Sequence, residues 1–71
     1  LMVEHHELIG ELALSGELRG VRGVLPAVLR ALEAGRTPIV PRVNAAEAGL
    51  VARGQALSAG SLLEVCAYLR G

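Results

Sequence analysis

Two adjacent histidines, one cysteine, three serines and a handful of glutamates and arginines are the residues of this chain whose types could do chemistry. His5-His6 invites a metal reading. A metal site needs three or four convergent ligands, and with no further histidine only the distant Cys66 could add one. The pair therefore reads as strand-edge histidines or as a leftover of cloning. Cys66 stands at helical spacing with Leu62 and Leu69, which favours a small buried hydrophobe over a reactive thiol. Glu11, Glu17, Arg19 and Arg22 read as a solvated charged face and not as a catalytic carboxylate pair. Ser15, Ser58 and Ser61 each have a turn or cap role, and none has a base beside it. The G-x-x-G at Gly20 to Gly23 is too short for a phosphate cradle and reads as a bend from strand to helix. No Walker A motif, H-E-x-x-H, C-x-x-C or G-x-S-x-G occurs. The expected catalytic, cofactor-binding and metal-binding sets of these 71 residues are all empty.

The elements that would hold such residues are small. A chain of 71 residues makes at most one domain, and one of this size buries only about 60% of its unfolded surface. The hydrophobic fraction is 52%, yet Tyr68 is the only aromatic residue, so the core must be built from Leu, Val, Ile and Ala. Seven arginines balance seven glutamates, with no Lys and no Asp, so the segment carries no electrostatic footprint for nucleic acid or a membrane surface. A single cysteine fits a reducing compartment. No apolar run reaches the roughly 18–20 residues of a membrane span and no signal peptide is visible. A cytoplasmic protein without membrane contact is expected. Beginning Leu1-Met2, the chain looks cut from a longer one.

The stretch Gly10 to Gly35 organises the rest as a hairpin feeding a helix. Leu8, Leu12 and Leu14 fall on one face of a period-two strand over Glu7 to Leu14, with Gly10 on that face permitting a bulge or a close backbone approach. Ser15-Gly16 is a tight turn, and Glu17 to Arg22 returns as a second strand with Leu18 and Arg19 on opposite sides. Gly23 starts a helix whose stripe is Val24, Leu25, Val28, Leu29 and Leu32. Pro26 is tolerated in its first turn, and Gly35 is its left-handed terminator. Thr37 to Pro41 predicts a short strand, and a strand-helix-strand order suggests a crossover onto a shared sheet. Asn44 with Glu47 forms a capping-box start for a second helix, about Ala45 to Ala52. A last strand is expected over Gln55 to Ser58. A third helix follows, capped by Ser61 with Glu64, laying Leu62, Val65, Cys66 and Leu69 on the sheet. The expected fold class is α+β: a β-hairpin followed by α-β-α-β-α, with a small sheet covered by helices.

The run I-G-E-L-A-L-S-G-E-L-R-G-V-R-G-V-L-P-A-V-L-R-A-L-E-A-G resembles the Lon-protease-like domain of the Mg-chelatase-related ComM/YifB family. The likeness continues through I-V-P-R-V-N-A-A-E-A-G-L-V and S-L-L-E-V, so it covers nearly all the chain. One departure is Gly20, where relatives usually carry Pro. The resemblance implies a ribosomal-protein-S5-domain-2-like fold placed before a AAA+ ATPase module, in a bacterial protein linked to natural transformation and DNA branch migration. It implies that residues 1–71 are a single segment, the C-terminal part of that domain, with the AAA+ module and its ATP site outside it. True Lon proteases use a Ser–Lys dyad. Their Lys would match Leu25, which has no basic nitrogen to accept the serine's proton, and the Ser would lie upstream of Leu1.

A non-catalytic accessory or assembly domain of a ComM-type AAA+ motor is therefore the expectation, and the fragment is expected not to be an enzyme. The alternatives are a degenerate Lon-like ATP-dependent protease domain, a magnesium-chelatase subunit and a freestanding interaction module. ATP and Mg are expected in the parent protein alone. Expected partners are the rest of the parent chain and a homo-oligomeric ring, with DNA possible for the parent.

Overall fold

The computed structural model describes residues 5–70. Its elements are β1 (His6–Leu8), β2 (Glu11–Leu12), β3 (Leu18–Arg19), α1 (Val24–Glu33), β4 (Thr37–Pro41), α2 (Ala45–Ala52), β5 (Leu57–Ala59) and α3 (Leu62–Arg70). A 3-10 turn, Arg42–Asn44, links β4 to α2. The α+β class holds. The sheet is a parallel three-stranded one in the order β1-β4-β5, while β2 and β3 form a separate antiparallel ribbon.

The strand expected over Glu7 to Leu14 is two strands. At Gly10 the backbone takes φ 143°, which turns the chain out of the ladder with β4 and into the ribbon. That turn reverses the expected burial. Ile9 is buried, whereas Leu8, Leu12 and Leu14 are exposed. A Cβ at Gly10 would stand 2.7 Å from Cγ of the buried Pro41. Gly10→Ala is accordingly expected to cost about 1–3 kcal/mol through backbone strain and displacement of that ring, read from urea denaturation midpoints. The second strand shrinks from Glu17–Arg22 to Leu18–Arg19, although Leu18 is buried and Arg19 exposed as the alternation requires.

β4 is central despite its two prolines, which strands ordinarily confine to edges. The Ile39 carbonyl accepts the Ile9 N–H at 2.9 Å, so Ile39 and Pro41 turn their backbone polar groups toward β1, and Pro38 and Val40 toward β5. Pairing with β5 begins at Ile39, after Pro38, and pairing with β1 ends at Ile39, before Pro41. Each missing N–H thus faces a side where the ladder is absent.

α1 begins after Gly23, whose φ of 68° sets the left-handed turn, and holds Pro26 in its first turn where no intrahelical N–H is lost. It ends as predicted. Gly35 has φ 75°, its N–H reaches the Leu32 carbonyl, and the Arg36 N–H reaches the Ala31 carbonyl at 2.9 Å, the paired bonds of a Schellman end. Its buried stripe is Val24, Val28 and Ala31; Leu29, expected inside, is exposed. The last strand is shifted from Gln55–Ser58 to Leu57–Ala59.

The two faces of β4 carry different layers. Val40 joins Ile9, Val24, Val28, Ala48 and Ala52 under α1 and α2, while Ile39 joins Leu18, Ala59 and Val65 under α3. Tyr68 and Leu69 pack on the second cluster, and the Tyr68 hydroxyl donates to the Ser58 carbonyl at 2.9 Å. Of the predicted α3 stripe only Val65 is buried. Leu62 is exposed and Cys66 is half-buried, and neither joins the cluster under α3. Among the described residues no helix is long and apolar enough to cross a membrane.

Candidate functional site

Parallel sheets bind ligands beyond the carboxyl ends of their strands, so that edge is the place to look for a site. Here β4 and β5 run out into Arg42–Asn44 and Gly60–Ser61, and β1 runs out into Gly10. The polar side chains that gather there are Arg42, Asn44, Glu47, Ser61 and Glu64.

Asn44 is the buried polar residue of the core, and its side chain does not cap α2 as the local pattern predicts. Its Oδ1 accepts the Val21 N–H at 3.1 Å, its Nδ2 donates to the Val21 carbonyl at 3.1 Å, and Nδ2 also donates to Glu47 Oε1 at 3.3 Å. One amide thereby satisfies both backbone groups of a residue 23 positions away. The clamp ties the loop between β3 and α1 to the start of α2. Gly20 adjoins it, and a Cβ there would meet Val43 Cγ2 at 2.6 Å and Asn44 Oδ1 at 3.1 Å.

The other half of the edge is closed by the ribbon. The Leu18 N–H donates to the Gly60 carbonyl at 3.0 Å, and the Leu62 N–H donates to the Gly16 carbonyl at 2.8 Å. Ser61 Oγ accepts the Glu64 N–H at 3.4 Å, the forward half of the predicted capping box. The reciprocal half is missing because the Glu64 carboxylate pairs with Arg42. That pair is more than a third exposed on both sides and contributes little. At the start of α3 the Leu62 and Glu64 N–H groups, which could otherwise help hold an anion, are taken up by the Gly16 carbonyl and the Ser61 hydroxyl. Among the described residues no buried side-chain N or O lacks a partner.

The other sequence candidates are not brought together. Glu11 and Arg19 face each other across the ribbon, both exposed, and Glu17 and Arg22 are exposed as well. The Ser15 hydroxyl accepts the Glu17 N–H within the hairpin turn. His5 is exposed and His6 lies in β1, and among the described residues no group of three or more His, Cys, Asp or Glu could hold a metal ion. Leu25, the second residue of α1, packs half-buried against the Val24–Val28 cluster. A hollow of about 130 Å³ lies between α2 and β5, walled by residues such as Val40, Ala48, Ala52 and Leu57, with Ser58 its one polar side chain. The Asn44–Val21 and Arg42–Glu64 contacts escape sequence reasoning, since no local pattern links positions 23 or 22 residues apart.

Fold and site together define a small α+β module whose carboxyl edge is closed by its own side chains and hairpin. The family model for subunit ChlI of Mg-chelatase matches residues 2–44, from before β1 through the Asn44 clamp, and the chain belongs to that family. It is similar to the uncharacterized protein YifB of Salmonella typhimurium, 48% identical over 69 residues. It is 44% identical over 69 residues to competence protein ComM of Haemophilus influenzae, and 43% over 70 residues to an uncharacterized protein of Mycobacterium tuberculosis. Each alignment takes in 97% of this chain and 14% of the relative. The chain thus spans about a seventh of the length of the curated relatives it matches.

Proposed function

We propose that the chain is a non-catalytic accessory and assembly domain of a ComM-type AAA+ ATPase, with a Lon-protease-like, ribosomal-protein-S5-domain-2-like fold, acting in DNA branch migration during natural transformation. The observation that carries this reading is Leu25. At the position where the likeness to Lon would put a catalytic lysine, an aliphatic side chain packs against the core. It can neither accept the proton of a serine nor be aimed into a cleft. The Haemophilus relative's name, competence protein ComM, supports the biological setting.

ATP and Mg belong, on this reading, to the remainder of a longer polypeptide. The chain contains no lysine to reach a phosphate, and the Leu62 and Glu64 N–H groups at the start of α3 are engaged by Gly16 and Ser61. The domain works in the cytoplasm, against the rest of its own polypeptide and within a ring of identical subunits; DNA is a partner of the whole motor. A peptide-hydrolysis assay on the full-length polypeptide checks the central claim. No hydrolysis above background is expected, and Leu25→Lys should not create any. Hydrolysis that a substitution at Leu25 abolishes would overturn the proposal. The matched family, subunit ChlI of Mg-chelatase, favours a second reading, a magnesium-chelatase subunit, which ATP-dependent magnesium chelation requiring the full-length protein would establish.

A further inference from the structure

The two roots of the β2–β3 ribbon have the same construction. At one, Ile9 is buried and its N–H is held by the Ile39 carbonyl at 2.9 Å, and Gly10 follows with φ 143°. At the other, both backbone groups of Val21 are held by the Asn44 amide at 3.1 Å, and Gly20 precedes it. A lone glycine thus separates each fixed residue from the ribbon, and hinges are built from such short stretches, which absorb a backbone rotation while their flanks stay in place. We propose that residues 11–19 form a strap that swings open as one piece about Gly10 and Gly20, exposing the carboxyl edge of the parallel sheet and the start of α3.

Inside the strap the hydrogen bonds are its own. Glu11 and Leu12 pair with Arg19 and Leu18, the Ala13 N–H reaches the Glu17 carbonyl at 2.8 Å, and the Gly16 N–H reaches the Ala13 carbonyl at 2.9 Å. Its hold on the body is slighter. Among the described residues that hold consists of the Leu18 N–H bond to Gly60, the Leu62 N–H bond to Gly16, and Leu18, the one side chain of residues 11–19 that is buried. Opening gives these up and leaves the Val24–Val28 cluster, the β1-β4-β5 ladder and the Asn44 clamp in place, so it costs a fraction of what unfolding does. The Gly60 carbonyl and the Leu62 N–H then lose their partners, and Ile39, Ala59 and Val65 lose the side chain that completes their cluster. The strap lies wholly within these residues, so it does not depend on the accessory-domain reading.

Glu17 and Ser61 are the bridge pair between strap and body, flanked by those two bonds, which is the non-hydrogen-bonded antiparallel position where Cα atoms stand about 4.5 Å apart. A disulfide fits that spacing. The test is residue-resolved amide hydrogen exchange in a full-length YifB-type polypeptide that carries this segment in place of its own. It is run with the segment unsubstituted, and again with Glu17→Cys and Ser61→Cys in a Cys66→Ala background free of other cysteines. Strong protection at Ile9 verifies that the segment is folded. In the unsubstituted segment the protection of Leu18 and Leu62 is expected to match, and to fall about tenfold or more below that of Ile9 and Val21. Oxidising the cysteine pair should raise both to the level of Ile9, and reduction should restore the difference. Equal protection at all four amides of the unsubstituted segment overturns the proposal, because the ribbon would then open only with the whole fold. Unequal protection at Leu18 and Leu62 counts against it equally, since that is fraying and not the movement of one piece. A cysteine pair that does not oxidise, or whose oxidation leaves Leu18 and Leu62 unchanged, likewise rejects it.

Discussion

Asn44→Ala is expected to remove about 2–4 kcal/mol of stability, because it strips partners from two partly buried backbone groups at once, each costing about 1–3 kcal/mol when left unpaired. The Val21 N–H and carbonyl have no replacement in the side-chain amide's absence, and water reaches them only in part. In a domain of this size that loss corresponds to a fall in melting temperature of about 10–25 °C. Asn44→Asp should do no better. It keeps an acceptor for the Val21 N–H, but it sets a carboxylate against the Val21 carbonyl and the Glu47 carboxylate, which now receive a donor. Asn44→Gln keeps the chemistry and adds a methylene, so it cannot hold both bonds in register. Amide exchange at Val21 should rise with the loss of the clamp. A melting temperature for Asn44→Ala within a degree or two of the parent would show that the bridge carries no net stability.

The same residue marks where sequence reasoning stops. Asn-x-x-Glu is a sound local signal for a helix start, and α2 does begin at Ala45. What the pattern could not reveal is the competing partner at Val21, which a fold brings close and a window of four residues cannot see. The segment from Gly23 to Pro41 is legible for the opposite reason. Its boundaries are fixed by backbone chemistry that needs no tertiary help: left-handed Gly23 and Gly35, Pro26 in a first turn, and prolines bracketing a short strand. The hairpin lies between these cases. Alternation in Glu7 to Leu14 correctly indicates extended chain, and Gly10 correctly indicates close approach, here to Pro41. Yet the positive φ at Gly10 hands the two halves to different sheets, and burial then follows the partner and not the period. As for the site, the solvated charges at Glu11, Glu17, Arg19 and Arg22 follow from the sequence. The closure of the carboxyl edge by Gly16, Gly60 and Arg42 does not, since it depends on where the ribbon lands.

Ile39→Ala should have the largest effect of any single truncation. Ile39 is fully buried at the middle of the central strand, in register with Leu8 on one side and Leu57 on the other. Removing three carbons from such a site costs about 2–5 kcal/mol, set by how far the neighbours can collapse. They can collapse little: Ala59 offers no length, while Leu18 and Val65 are held by the ribbon and by α3. A 71-residue domain has a total stability of only about 4–11 kcal/mol, so the variant sits near its unfolding midpoint at moderate temperature. Val40→Ala, one residue on, opens the opposite cluster under α1 and α2. Comparing the two tests whether the layers melt as one. Tyr68, the sole aromatic, lies on the Ile39 side, so its fluorescence follows α3 while circular dichroism follows all three helices. Because Ile39 and Val40 are adjacent on one strand that both layers share, the two signals should melt together in either variant. A tyrosine transition preceding the helical one in Ile39→Ala alone would mean that α3 is held by its own cluster and not by the cooperativity of β4.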